Sequence, residues 1–348
     1  MKNNFPKIIS FTITNDCNLR CKMCGQWSEE GYIRNDKQIL KNGLTLKDWK
    51  RLVDELAEHN FSSLLIRGGE PFLFPEIIEL LEYINSKGMF ISIDTNGTLL
   101  KKYAADLLRI GNIHITVSID GPRDIHDAVR GVKGCFKKIE EGLILLSELE
   151  KKSENKISKS ICFTISPYSV GGLGKMPDVA RRLSVNTIVI VPYYYFPARL
   201  GRTYETELKK HFNCKAFSWH GFHHENSGVN FNVFKEEFKT YKTSLDEIYN
   251  YPYLPLSEEE YKIWFENTTT PVGHISCSNV EKLLDIQPTG EANFCVDFPD
   301  YSIGNVFEST MEEIWNSEKA EKFREYRRNN LLAACYRCGA KYMSEIVS

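Results

Sequence analysis

Residues 7–25 read KIISFTITNDCNLRCKMCG, and this stretch sets the reading of the fold. Its first eight residues are an apolar, β-branched run of strand length. The loop that follows carries Cys17, Cys21 and Cys24 in the spacing Cys-x3-Cys-x2-Cys. Further strand-like runs follow at 62–67, 90–95, 114–119, 160–167 and 187–192. Between them apolar residues recur at helical spacing. Trp49, Leu52, Val53 and Leu56 mark one face, with Thr45 and Asp48 as a capping pair. Ile77, Ile78, Leu81 and Ile84 mark the next, with Pro75 in its first turn, and Phe136, Ile139, Leu143 and Leu146 a later one. Strands alternating with helices imply parallel βαβ units, since a parallel crossover needs about a dozen residues. Six such strands suit a partial (β/α)6 barrel or an open doubly wound sheet; periodicity does not choose between them.

The pattern changes beyond residue 200. Residues 201–275 form an aromatic- and histidine-rich bridging segment with one helix near 233–249. From 277 two short strands, LLDIQ and EANFCVD, flank the turn Pro288-Thr289-Gly290, and a helix near 310–328 precedes a final Cys-x2-Cys. The expected organisation is a barrel over 1–200, the bridging segment, and a small α+β domain over 276–348.

The chain has 348 residues, 44 Lys+Arg against 46 Asp+Glu, and a formal net charge of −2. Such a balance gives no basic stripe for nucleic acid, so no nucleic-acid partner is expected. No stretch approaches the 18 or so apolar residues of a membrane span, so a cytoplasmic protein with no membrane partner is expected. Ten cysteines clustered in such a chain read as metal or catalytic sites rather than disulfides.

Cys17, Cys21 and Cys24 follow a strand of a parallel fold, where active sites form. Three thiolates are one short of the four a cubane cluster takes, which leaves one iron open to a chelating ligand. A structural zinc site or chance spacing is the alternative, although zinc knuckles favour Cys-x2-Cys pairs. Gly68-Gly69-Glu70-Pro71 follows the second strand at the same end; its glycines permit close backbone approach and Glu70 can pair with an ammonium group. Thr95-Asn96-Gly97 ends the third strand, as a ligand contact or a plain turn, and Ser118-Ile119-Asp120-Gly121-Pro122 ends the fourth. Cys277, Cys295, Cys335 and Cys338 make a complete four-thiolate set, for a closed cluster or for zinc.

Through CNLRCKMC, GGEP, TNG and SIDGP, roughly residues 5–195, the chain resembles the radical S-adenosylmethionine (SAM) superfamily. That resemblance implies an α/β fold with a partial (β/α)6, TIM-like barrel. It implies a [4Fe–4S] cluster on Cys17, Cys21 and Cys24 whose open iron takes the amino and carboxylate groups of SAM. An electron from the cluster would then cleave SAM to a 5′-deoxyadenosyl radical that abstracts hydrogen from substrate. By the same resemblance Gly68, Gly69, Glu70 and Pro71 hold the SAM amino group. Arg130 helps hold its carboxylate, with a surface salt bridge as the plainer alternative, and Ser118 the ribose or methionyl part. Asn96 and Asp120 complete the cofactor-binding candidates. Met23 stands where the family often has an aromatic near adenine; a thioether also packs on a purine. The C-terminal Cys-x12-Gly-x4-Cys and Cys-x2-Cys are similar to SPASM/Twitch domains. The full seven-cysteine set is absent, which implies the shorter Twitch type with one auxiliary [4Fe–4S] cluster, as an electron relay or a structural group.

Of the lone cysteines, Cys135 and Cys162 read as buried small hydrophobes, and Cys214 as either incidental or a hydrogen-atom donor. His220, His223 and His224 read as solvated or pocket-lining. Trp219, Phe222, Tyr193, Tyr194 and Tyr195 read as pocket wall or core. The first strand begins within about ten residues of the start, without a preceding peptide-recognition domain. A small polar metabolite is therefore the expected substrate, by oxidation, epimerisation or rearrangement. Modification of a ribosomally made peptide is the alternative, and a non-catalytic iron–sulfur or zinc protein a third. A low-potential donor such as a flavodoxin or ferredoxin would supply electrons.

Overall fold

The computed structural model describes residues 5–36, 43–251, 253–273 and 276–339. Six parallel strands lie in chain order: β1 (Ile8–Thr12), β2 (Ser63–Arg67), β3 (Phe90–Thr95), β4 (Ile113–Ser118), β5 (Ser158–Ile165) and β6 (Thr187–Pro192). Each pairs in parallel with the next, as strands joined by helical crossovers must. They are the six runs legible in the sequence.

Period-2 alternation along these strands gives the sheet two different faces. Ile91 and Ile93, Ile115 and Val117, Ile161 and Phe163, and Ile188 and Ile190 are buried in one continuous core. Helices Leu46–Glu58, Ile77–Ser86, Leu100–Ile110 and Cys135–Glu150 contribute their apolar stripes to that core. Thr45 caps the first of these in a reciprocal box with Asp48, as the sequence implied. Pro75 lies just ahead of the second helix, whose cap is Glu76, rather than inside its first turn. The opposite strand face carries Arg67, Ser92, Asp94, His114, Thr116, Ser118, Ser160, Cys162 and Thr164 and lines a cavity.

The sheet extends beyond six strands at both edges. β7 (Tyr249–Tyr251), from the bridging segment, pairs in parallel with β6. β8 (Leu283–Ile286) pairs in parallel with β1, and β9 (Glu291–Asn293) and β10 (Gly304–Asn305) continue antiparallel from it. The order is β10-β9-β8-β1-β2-β3-β4-β5-β6-β7, an open row. This is the expected α/β partial barrel, unclosed. The C-terminal α+β unit is joined to it by backbone hydrogen bonds in register Ile8↔Leu283 to Phe11↔Ile286. Its end beyond residue 339 lies outside the described residues.

Two expectations shift in detail. The helix near 310–328 is two, Met311–Trp315 and Glu318–Asn329, because Ser317 caps a new start by accepting from the Ala320 N–H. The bridging segment also holds helices Ala198–Phe212, Phe231–Thr243 and Glu258–Glu266.

Candidate active site

All the motif loops leave the carboxyl ends of the parallel strands, so they share one mouth. The cysteine loop is held there from three sides. Gly69 N–H donates to Thr14 O at 2.8 Å and Glu70 N–H to Asp16 O at 2.7 Å. Gly68 has φ +155°, and a Cβ there would lie 2.4 Å from Thr14 O, so no other residue fits. From the second side, Arg20 N–H donates to Arg130 O at 3.0 Å and Lys22 N–H to Val129 O at 2.9 Å. The third side is the turn Ser218–Phe222 of the bridging segment. A Cβ on Gly221 would stand 1.8 Å from Gly25 O, so the two chains pass backbone against backbone.

Within this frame Cys17, Cys21 and Cys24 line one cavity of about 670 Å³. Burial, aided by neighbouring thiols, pushes the Cys17 thiol up to about 12 and the Cys24 thiol up to about 11. Burial also raises Cys21, against the pull of Arg130, whose Nη1 donates to its sulfur at 3.6 Å. Thiols so placed, with Cys21 raising both Cys17 and Cys24, deprotonate readily only beside concentrated positive charge, which a metal centre supplies. Three soft donors of this kind fit an iron–sulfur cluster. Among the described residues no three Cys, His, Asp or Glu side chains are gathered tightly around a single-ion position. The donor chemistry, rather than a closed coordination shell, carries the fit.

Met23, Gly68, Gly69, Asn96, Ser118 and Arg130 line the same cavity. Arg130 is no surface salt bridge: it is 8% exposed, and its Nε stands 2.6 Å from the wholly buried Asp120 Oδ2. Asp120 itself stands behind the wall, its other oxygen accepting from Thr164 N–H at 3.0 Å. Asn96 is set by the cysteine loop, its amide donating to Asn18 Oδ1 at 2.8 Å and its oxygen accepting from Thr98 N–H.

Three expectations are corrected. Glu70 does not offer its carboxylate to the cavity. It is fully buried and accepts from Thr95 Oγ1 at 2.7 Å, Asn96 N–H at 2.8 Å and Phe72 N–H at 3.2 Å, so it ties the second loop to the third. Pro71 likewise is buried, opening the short turn Pro71–Leu73. Cys214 is outside the cavity: it follows helix Ala198–Phe212, and its thiol donates to Asp300 O at 2.7 Å.

The cavity adds residues that sequence reasoning passed over. Cys162, read as a core residue, faces the interior from β5. Its signal was alternation, since it shares a face with Ser160 and Thr164. Arg67, Asp94, His114 and Asp297 gather on the same floor, with Arg67 Nη2 3.8 Å from Asp297 Oδ1. Burial raises the Asp94 carboxyl, against the pull of Arg67. Both His114 ring nitrogens are engaged, by Ser158 and Ser160. Trp27 adds an aromatic wall to Tyr193, Tyr194 and Phe222, which line the cavity in keeping with their reading as pocket wall. Tyr195 is core, donating to Trp264 O, and Trp219 packs against the Gly201 helix. His220 and His223 face Glu205 and Glu225 on the surface, and His224 packs against Tyr193.

The second cysteine set also converges. Burial raises the Cys295 thiol well above its usual value, with Cys335, Cys277 and Cys338 next in effect. Arg327 Nη2 donates to Cys335 Sγ at 3.2 Å. Four half-buried thiols beside a cation are again a donor set for an iron–sulfur group.

Comparison with known families decides what these two sets are. Residues 11–163 match the radical SAM superfamily, and residues 277–339 match SPASM, an iron–sulfur cluster-binding domain. The chain is a radical SAM protein with a C-terminal SPASM-type domain. A radical SAM protein of this build takes a SAM-binding [4Fe–4S] cluster, SAM itself and auxiliary iron–sulfur. It is 30% identical over 189 residues to the Fe-coproporphyrin III synthase of Methanosarcina barkeri, a match covering 54% of this chain and 44% of that protein. It is 23% identical to the antilisterial bacteriocin subtilosin biosynthesis protein AlbA of Bacillus subtilis, over 99% of this chain and 70% of AlbA. The crystal structure of Streptococcus suis SuiB bound to precursor peptide SuiA shares the fold. Its TM-score is 0.64 at 16% identity, covering 97% of this chain and 71% of SuiB. No helix among the described residues is long and apolar enough to cross a membrane.

Proposed function

We propose that this radical SAM protein modifies a ribosomally made peptide, with Cys17, Cys21 and Cys24 holding the SAM-binding cluster. The observation that carries the peptide reading is the reach of the AlbA match, which runs through both domains and the segment between them. The match to Fe-coproporphyrin III synthase stops at about half of the chain. This reverses the tilt toward a small metabolite that the bare sequence suggested. That SuiB, a protein of the same fold, was crystallised bound to precursor peptide SuiA supports this reading.

When bound, the cluster and SAM together supply reductive cleavage of a sulfonium bond and, through it, hydrogen abstraction from an unreactive carbon. The chain's own residues bind, orient and exclude water. Arg130, fixed by Asp120, presents a guanidinium for a carboxylate. The backbone of Gly68 and Gly69 and the side chains of Asn96, Ser118 and Met23 shape the adjoining wall. Trp27, Phe222, Tyr193 and Tyr194 shield the site from solvent. Cys277, Cys295, Cys335 and Cys338 would hold one auxiliary cluster, and the chemistry that group would supply there is electron exchange. Seven thiols kept as ligands call for a reducing compartment, consistent with the cytoplasm, where a flavodoxin or ferredoxin serves as donor.

The test is anaerobic. Reconstituted protein is given dithionite and SAM, and 5′-deoxyadenosine is followed on adding fractions of an extract of the source cells. Stimulation by a peptide fraction that is lost on proteolysis is the expected result. Stimulation that survives proteolysis would return the substrate to the small polar metabolites, for which the hydroxyl-rich floor of Ser92, Thr116, Ser160 and Thr164 is suited.

A further inference from the structure

Helix Glu318–Asn329 carries Arg324, Arg327 and Arg328, and the three are used differently. Arg324 and Arg328 meet the carboxylates of Glu281 and Glu321. Arg327 is 1% exposed, and its partners are sulfur and a carbonyl: Nη2 donates to Cys335 Sγ at 3.2 Å, and Nη1 donates to Asn330 O. Cys335, Cys277 and Cys295 are the groups that most favour its charge. A buried guanidinium is stable only where opposite charge compensates it. Arg130, in the first site, obtains that compensation from Asp120. Arg327 obtains it chiefly from the cysteine sulfurs, with the Glu207 carboxylate as a further neighbour.

We propose that Arg327 sets the reduction potential of the group held by Cys277, Cys295, Cys335 and Cys338, raising it through its positive charge and its hydrogen bond to Cys335. This rests on the reading of those cysteines as holding an auxiliary cluster. The physical reason is that reduction adds one negative charge to a centre already rich in thiolate. A fixed cation at hydrogen-bond distance from a ligand sulfur stabilises the reduced form more than the oxidised one. Net charge and hydrogen bonds to sulfur are among the factors that set such potentials. Arg327 is thus a tuning residue, set apart from the cavity lined by Cys17, Cys21 and Cys24.

The experiment compares reconstituted full-length protein with Arg327→Lys and Arg327→Gln. Iron and sulfide are counted, and the auxiliary signal is titrated against potential by electron paramagnetic resonance. A midpoint shifted negative in Arg327→Gln and largely restored in Arg327→Lys, at an unchanged count of about eight irons, is the expected result. Eight irons with an unmoved midpoint in Arg327→Gln would overturn the role of Arg327 alone. About four irons in the unaltered protein would overturn the auxiliary-cluster reading beneath it. If Arg327→Gln loses its iron, the unaltered protein decides. With arginine labelled by 15N in the guanidinium, pulsed resonance of the reduced auxiliary centre should show a nitrogen coupling, and its absence would overturn the proposal.

Discussion

Arg130 Nε lies 2.6 Å from Asp120 Oδ2; both side chains are buried, and Arg130 lines the cavity that holds Cys21. The pair joins the end of the fourth strand's loop to the end of helix Arg123–Arg130, and that helix end also receives the Arg20 and Lys22 amides of the cysteine loop. One electrostatic contact therefore holds a cavity-facing cation and the cysteine loop together.

Asp120→Asn should unfold more easily by about 3–5 kcal/mol, because it leaves the Arg130 guanidinium buried without its counter-charge. SAM affinity should fall with it. The double variant Asp120→Asn with Arg130→Met should regain much of the stability yet stay deficient in 5′-deoxyadenosine formation. Thermal melts and SAM titration check this. A double variant as unstable as the single would show that the pair is not what couples the two elements.

Glu70 gives a pH signature. Burial raises its carboxyl from the usual 4.5 to about 7, against three hydrogen bonds that favour the charged form. The folded state thus binds a proton that the unfolded state releases between roughly pH 4.5 and 7, so this group's contribution to stability falls as pH rises through that window. The change is on the order of 3 kcal/mol at full ionisation. Denaturant melts at pH 5 and pH 7.5 should show a smaller difference in Glu70→Gln than in the unaltered protein. An equal difference would mean that Glu70 is ionised throughout.

Cys214→Ala should leave 5′-deoxyadenosine formation and product formation within about twofold, since its thiol meets the Asp300 and Lys215 carbonyls away from the cavity. Cys162→Phe should behave oppositely, filling part of the cavity floor and suppressing substrate conversion. Loss of activity in Cys214→Ala, measured beside its iron content, would restore the thiol as a participant.

The two thiol sets should separate on analysis. Cys24→Ala should lose about four irons and all SAM cleavage, while Cys295→Ala should lose about four irons and keep substrate-independent SAM cleavage. Iron counts with a deoxyadenosine assay measure both. Equal loss of cleavage in the two variants would mean that the second set supports the first directly.

Much of this was legible before the structure. The six strands and the helices between them follow from local periodicity, because side-chain alternation and the 3.6-residue turn are written in neighbouring residues. The same holds for Thr45 with Asp48, and for a cysteine triplet whose spacing lies inside one loop. Ser257 and Glu260 form a capping box that starts helix Glu258–Glu266; that signal was present and went unread among charged and aromatic residues. Leu200, Tyr204 and Leu208 likewise mark the buried stripe of helix Ala198–Phe212.

The sequence by itself determined the order of the six parallel strands and of the helices it marked between them, the end of the sheet that bears the cysteine loop, and the spacing of the first thiol triplet. Each of these depends on residues close in the chain. Only the tertiary structure decided that Glu70 turns into the protein, that Cys162 rather than Cys214 faces the cavity, and that β8 lies against β1. It also decided that Gly221 presses on Gly25, and that Arg130 and Arg327 take different counter-charges. Those outcomes depend on pairings between distant segments, such as Thr12 with Asp285 across the β1–β8 seam. Their geometry is set by packing and register, and no local pattern encodes it.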